Sequence, residues 1–128
     1  MKIKIINPKK ACAKTLAKYV PSENAFVQFK NAFVQFKNSL NLTESEENQK
    51  NTLKTFLEDA FYKPNYYINT KNNIDLVIAK GKDATDTVGV ILELKNTRNN
   101  AEMFSTNVPN VKSFQELVLY SLDRKSVV

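Results

Sequence analysis

Histidine is absent from the chain. That removes Ser-His-Asp and Cys-His catalysis, histidine metal clusters and imidazole acid–base work together. Cysteine occurs once, at Cys12, so no internal disulfide can form, and a lone cysteine most simply fills core space. No apolar run approaches the length of a membrane span, and the opening Met1-Lys2-Ile3-Lys4 lacks the apolar stretch of a signal peptide. These absences lead to the expectation of a cytoplasmic protein with no membrane partner. Whatever chemistry the chain performs must come from carboxylates, lysines and a hard metal ion.

What is present fits one domain. The 128 residues have room for a single core, and 42% hydrophobic residues are too many for a disordered chain. Lys and Arg outnumber Asp and Glu by 19 to 13, a net charge of +6. A surplus of that size suits a polyanion such as nucleic acid.

Residues 73–95 carry the most information. Two apolar strands, Ile74-Asp75-Leu76-Val77-Ile78-Ala79 and Val88-Gly89-Val90-Ile91-Leu92-Glu93-Leu94-Lys95, flank a loop with the Gly, Asp and Thr content of a hairpin turn. A symmetric hairpin has its midpoint at Ala84 and places Asp75 directly across from Glu93. Facing carboxylates repel, and a bound divalent cation is the simplest way to make the arrangement favourable. Lys95, two residues beyond Glu93, projects from the same face of the strand. Asp75 and Glu93 can together hold Mg²⁺, while Lys95 can position water or offset developing negative charge, a minimal kit for phosphodiester hydrolysis without histidine.

The remaining elements read as strand, helix, helix, helix, strand, strand, strand, helix, a mixed α/β layout. Residues 2–6 suggest a short strand, and residues 9–19 a helix introduced by Asn7-Pro8 and closed by Pro21. A tandem repeat follows, Asn24-Ala25-Phe26-Val27-Gln28-Phe29-Lys30 copied as Asn31-Ala32-Phe33-Val34-Gln35-Phe36-Lys37. Phe26, Phe29, Phe33, Phe36 and Leu40 form one helical seam. The seam is either a coiled-coil dimer interface or the packing face of a core helix. Two heptads are too few for an autonomous coiled coil, and seven added residues turn a helix face by only about 20° while lengthening it by roughly 10 Å, so packing is favoured.

Thr43-Glu44-Ser45-Glu46 looks like a capping box opening a helix striped by Leu53, Phe56, Leu57, Ala60 and Phe61 and ended by Pro64. Glu46 is either its cap or a third acidic ligand, with Glu47 as a weaker substitute. Residues 66–70 suggest a strand. After a polar connection containing Arg98, residues 111–122 suggest a helix with Phe114, Leu117, Val118, Ser121 and Leu122 on one face and Gln115 flanking it.

Ile74-Asp75 followed by Glu93-Leu94-Lys95, after a helix bearing Glu46, resembles the PD-(D/E)XK nuclease superfamily. A more specific resemblance runs through Asn7-Pro8-Lys9-Lys10-Ala11, Thr43-Glu44-Ser45-Glu46-Glu47, Asn69-Thr70-Lys71, Asp75-Leu76-Val77-Ile78, Val88-Gly89-Val90-Ile91-Leu92-Glu93, Ala101-Glu102-Met103 and Phe114-Gln115-Glu116-Leu117-Val118-Leu119-Tyr120. These stretches look like the amino-terminal endonuclease region of type IIG restriction–modification enzymes. The resemblance implies a restriction-endonuclease-like α/β fold, with a mixed central sheet flanked by helices, and Mg²⁺-dependent cleavage of double-stranded DNA. By position it assigns Asp75 and Glu93 to the metal, Lys95 to catalysis, and Gln115 to a helper role.

Two departures are visible. Ile74 stands where the superfamily motif has proline, and no Asn-Pro-Pro-Tyr-type methyltransferase motif occurs. S-adenosylmethionine is therefore expected only in a part of a parent enzyme that is missing here. The final Asp123-Arg124-Lys125-Ser126-Val127-Val128 departs from the family pattern and is what a widely used sequencing adapter encodes in one frame. Residues 1–122 are thus expected to be a partial endonuclease-like domain, incomplete at its C-terminus, and 123–128 a non-native tail. Alternative readings are a non-catalytic DNA-binding or interaction module with a degenerate nuclease fold, and a small helical interaction protein built on the Phe repeat.

Overall fold

The computed structural model describes residues 4–12 and 14–125. Its architecture is mixed α/β, with five helices beside a three-stranded antiparallel sheet among the described residues. In chain order these are α1 (Pro8–Ala11), α2 (Lys14–Ala17), α3 (Glu23–Ser39), α4 (Glu46–Leu57), β1 (Ile68–Lys71), β2 (Ile74–Ala79), β3 (Val88–Leu92) and α5 (Lys112–Lys125). A π-helical segment, Glu58–Tyr62, continues α4, and a 3-10 turn, Asn100–Glu102, precedes α5. None of the described helices is long and apolar enough to cross a membrane.

The sheet order is β1-β2-β3. Asn72, with φ of 54°, makes the tight β1–β2 turn, a left-handed conformation that asparagine tolerates well. β2 pairs with β3 in the register Leu76↔Leu92, Val77↔Ile91 and Ile78↔Val90. That register is the one symmetric about Ala84. A bulge shifts it by one residue where Ala79 meets Val88, leaving Gly89 as the extra residue.

Central β2 is buried along nearly its whole length because both of its faces are covered. Ile68, Leu76 and Ile78 form the core, packed by Leu53 and Leu57 of α4 and by Tyr62, Tyr66, Leu92 and Leu94. Leu76 is only 1% exposed. α5 packs on β3 from the other face. β1 and β3 are the edges, and Gly89 and Val90 of β3 lie open to solvent.

Several local expectations change. Residues 4–6 are irregular and exposed rather than strand, and residues 2–3 of that expected strand lie outside the described residues. The single helix expected over 9–19 is instead α1 and α2, with Asn7 capping α1 by accepting from the Lys9 N–H at 3.0 Å. The expected tail at 123–128 falls outside the described residues from 126 onward.

At α4 the cap is Ser45, whose hydroxyl accepts from the Asn48 N–H at 3.2 Å. Thr43 is drawn away because the Asn41 side chain accepts from both its N–H and its hydroxyl, at 3.0 and 2.7 Å. Phe61 leaves the expected stripe: the π turn, with its i→i+5 bonding, shifts the helical phase and puts the ring 62% in solvent.

The Phe repeat is a packing helix within the chain. Phe29, Phe33 and Phe36 surround Phe56 of α4 with ring centroids 5.0–6.1 Å apart. The buried centre of α3 is nevertheless Ala32, and Phe26 is mostly exposed. The seam is rotated because a small residue lets α3 approach closely and lets Gln28 Nε2 donate to the Asp59 carbonyl at 2.8 Å. α5 is likewise turned from the expected face. Val111 and Ser113 are buried, Glu116 is half-buried, and Val118 and Leu122 are largely exposed.

Candidate functional site

The end of the β2–β3 hairpin remote from its loop gathers the charged residues. Strand pairing stops at Leu76↔Leu92, so Asp75 and Glu93 are the next residues on facing strands. Asp75 continues the ladder with its side chain, its Oδ2 accepting from the Leu94 N–H at 2.8 Å. Alternation along the strand puts Glu93 and Lys95 on the α5 face and Leu94 on the α4 face.

Lys95 is the hub. Its Nζ lies 2.8 Å from Glu93 Oε1, 3.4 Å from Glu116 Oε2 on α5 and 3.9 Å from Glu102 Oε2 on the 3-10 turn. The side chains of Lys95 and Glu93 are 9% and 5% exposed, so these charges interact with little screening by water. Lys112, one turn before Glu116, lies 3.9 Å from Glu116 Oε1.

Glu93 Oε2 is buried and has no hydrogen-bond donor among the described residues. Burial is the largest influence on Glu93, followed by the neighbouring Glu116 carboxyl and then by the Asp75 charge. Together they outweigh Lys95 and push the Glu93 pKa from 4.5 up to about 7. Glu116 takes the complementary shift, held below its usual range by its interaction with Glu93 and then by Lys95 and Lys112. Burial pulls Lys95 down, but its bond to Glu93 and the charges of Glu93 and Glu116 outweigh that and raise it. Lys95 therefore stays a cation at any physiological pH.

Tyr120 lies one turn beyond Glu116, and its hydroxyl donates to the Asn73 carbonyl at 3.1 Å. Its pKa is raised by burial and then by the charges of Glu116, Glu93 and Asp75. The negative field of the cluster thus extends to the β1–β2 turn.

Glu46 reaches the same strand end from the α4 side. Its Oε2 accepts from the Asn96 N–H at 2.8 Å, and the Gln49 Oε1 beside it accepts from the Thr97 N–H at 3.2 Å. The pair fixes the backbone immediately after Lys95. Glu47 is exposed and pairs with Lys50 at 2.6 Å. Gln115 also points elsewhere, donating through Nε2 to Asn110 Oδ1 at 2.9 Å. The residue that α5 brings to Lys95 is Glu116.

Asp75, Glu93 and Lys95 are therefore brought together as the hairpin register implies. Glu46 is adjacent on the other face of the strand, and Gln115 and Glu47 are not at the cluster. Glu116, Glu102 and Tyr120 were not anticipated. The four-residue steps from Lys112 to Glu116 to Tyr120 mark one helix face and point to two of them, whereas no local pattern points to Glu102. Among the described residues, no three His, Cys, Asp or Glu side chains form a ready-made metal cage.

A family model described as a domain of unknown function, DUF7149, matches residues 6–126. The chain belongs to the DUF7149 family. The match takes in both carboxylate-bearing strand ends and the described length of α5. No curated protein and no solved structure matches the chain.

Proposed function

We propose that this domain is a Mg²⁺-dependent DNA endonuclease of the restriction-endonuclease-like class, hydrolysing phosphodiester bonds at the Asp75–Glu93–Lys95 cluster. The observation that carries the reading is Glu93 Oε2, a buried carboxylate oxygen without a donor and on the strand facing Asp75. Such an oxygen is satisfied either by a proton, which burial favours, or by a cation. Asp75 and Glu93 would hold the ion, with Glu46 close enough in the fold to steady the backbone beside them. When bound, Mg²⁺ supplies positive charge against the phosphoryl oxygens and makes water more acidic.

The protein's own groups do the rest. Lys95, permanently charged, offsets negative charge at the scissile phosphate. Glu93 and Glu116 hold its ammonium in one place, so little reorganisation is needed when substrate arrives. Tyr120 brings a hydroxyl to the same rim. The resemblance of Ile74-Asp75 and Glu93-Leu94-Lys95 to the PD-(D/E)XK pattern supports the same assignment, and the net charge of +6 suits a DNA partner.

A second reading is favoured by one specific observation. Three carboxylates surround one lysine, which also describes an ion cluster fastening α5 and the 3-10 turn to β3 in a non-catalytic DNA-binding module. Glu93→Ala separates the two. Under the nuclease reading, the wild type nicks supercoiled plasmid in Mg²⁺ but not in EDTA, and Glu93→Ala abolishes nicking while DNA affinity in EDTA is retained. A wild type that binds DNA and leaves it intact in Mg²⁺ establishes the second reading instead.

A further inference from the structure

At the loop end of the hairpin, on the α4 side of the sheet, lies a cavity of about 350 Å³ lined by Lys54, Lys63, Lys82, Glu58, Tyr66 and Tyr67 among others. Three lysines from three different segments converge on it: Lys54 from α4, Lys63 after the π turn and Lys82 from the β2–β3 loop. Glu58 is the single acid in the lining and is taken up by Lys63 at 2.9 Å. Neither Lys54 nor Lys82 makes a salt bridge among the described residues, and Lys54 is half-buried. The acidic residues of the same loop, Asp83 and Asp86, do not line the cavity, and Asp86 Oδ2 accepts from the Asp83 N–H at 2.9 Å within the loop.

Beside the cavity stands an aromatic platform. Phe61, expelled from the core by the π turn, stacks on the cavity-lining Tyr66 with ring centroids 6.1 Å apart and planes 19° from parallel. Tyr62 packs edge-on against both rings. Most of the Phe61 ring faces solvent. Local π-helical insertions recur at functional positions.

We propose that this cavity and the Phe61 ring form a single-stranded nucleic-acid site, with backbone phosphate held by Lys54, Lys63 and Lys82 and an unpaired base stacked on Phe61. Positive charge tracking the backbone next to an open aromatic face is the combination that binds single strands without reading sequence. The site is separated from the carboxylate cluster by most of the length of β2 and by the sheet itself. It does not rest on the nuclease reading and stands or falls alone.

The test is fluorescence anisotropy of a labelled oligothymidylate in EDTA over a range of salt, using the full chain. Lys63→Ala with Lys82→Ala removes two exposed cations. The salt slope, log K against log salt, should become shallower by about 1.4, at about 0.7 per phosphate lost. Phe61→Ala should weaken binding by roughly tenfold or more with the slope unchanged. Lys30→Ala with Lys37→Ala removes the same charge from α3 and should leave the slope near wild type. All three alter exposed side chains, and circular dichroism melts confirm the fold before binding is compared.

A control pair that lowers the slope as much as the cavity pair overturns the proposal, as does a wild type that fails to bind. Complete displacement by millimolar inorganic phosphate, together with no effect of Phe61→Ala, overturns it in favour of a simple phosphate site. Loss of plasmid cleavage, or its absence, does not enter this measurement, so failure of the nuclease reading is seen separately.

Discussion

Replacing Glu93 by glutamine should stabilise the protein at mildly alkaline pH, although it removes one partner of a buried ion pair. The folded state binds the Glu93 proton more tightly than the unfolded state does, because the pKa rises from 4.5 to about 7 on folding. Between those values the native state carries the extra proton, so stability falls as pH rises through the window and is level above it. At about 1.4 kcal/mol for each pH unit the ceiling is roughly 3 kcal/mol. Residual solvent and the linked titration of Glu116 lower this to about 1–2 kcal/mol.

The neighbouring groups do not mask the effect. Lys95 has a raised pKa, so its contribution is fully present below 10.5 and is lost only at higher pH. Glu116 has a lowered pKa, so its contribution is present above 4.5 and lost as pH falls below that. From about pH 5 to about pH 8, Glu93 therefore dominates among these groups. Urea unfolding followed by circular dichroism in EDTA should show the wild type losing stability across that range and Glu93→Gln nearly flat. The two should be similar at the acid end and separated by about 1–2 kcal/mol at the alkaline end. A wild type whose stability is level or rising with pH, or a Glu93→Gln protein less stable than wild type at about pH 8, would show that folding does not raise the Glu93 pKa.

Other outcomes follow from single contacts. Gln49→Ala should cost about 1–3 kcal/mol, because the buried amide donates to the Asn41 and Glu44 carbonyls and accepts from Thr97 N–H; equilibrium unfolding gives the value, and hydrogen exchange at Thr97 should speed up. Gln115→Ala should change stability by less than about 0.5 kcal/mol, since among the described residues its one side-chain hydrogen bond is the exposed one to Asn110. Glu116→Gln should instead shift the pH dependence of unfolding, because it removes a carboxyl that helps raise the Glu93 pKa. Deleting residues 31–37 should leave a folded protein weakened by about 1–2 kcal/mol, as Phe26 and Phe29 move into the places of Phe33 and Phe36 and Phe56 loses one ring partner of three; collapse of the thermal transition would show that the repeat is indispensable.

The parts legible in the sequence were those governed by short-range periodicity. Alternation and turn chemistry located β2, β3 and their register, and hence brought Asp75, Glu93 and Lys95 to one end. Phe26 to Leu40 announced a helix, though a helix can rotate by one residue at little cost in apolar content. Its face was set by Ala32 and by the Gln28 contact to Asp59, which involve a π turn that no propensity scale reports. The same turn moved Phe61 from core to surface. On α5 the choice between Gln115 and Glu116 is a rotation of about 100°, decided by the ion cluster at Lys95 rather than by the apolar residues. Glu102 arrives from a polar connection whose path depends on the Ser113 hydroxyl donating to its carbonyl at 2.6 Å, a contact with no trace in local pattern.

The nuclease proposal requires the facing carboxylates at the hairpin end to form a cation site. Calorimetric titration of Mg²⁺ into the metal-free protein at about pH 8 addresses it directly, with Asp75→Asn, Glu93→Gln and the remote Glu47→Gln as comparisons. A saturable binding heat is expected in wild type and Glu47→Gln and should be lost in Asp75→Asn and in Glu93→Gln. No saturable heat in the wild type, or equal heat in all four proteins, would contradict it.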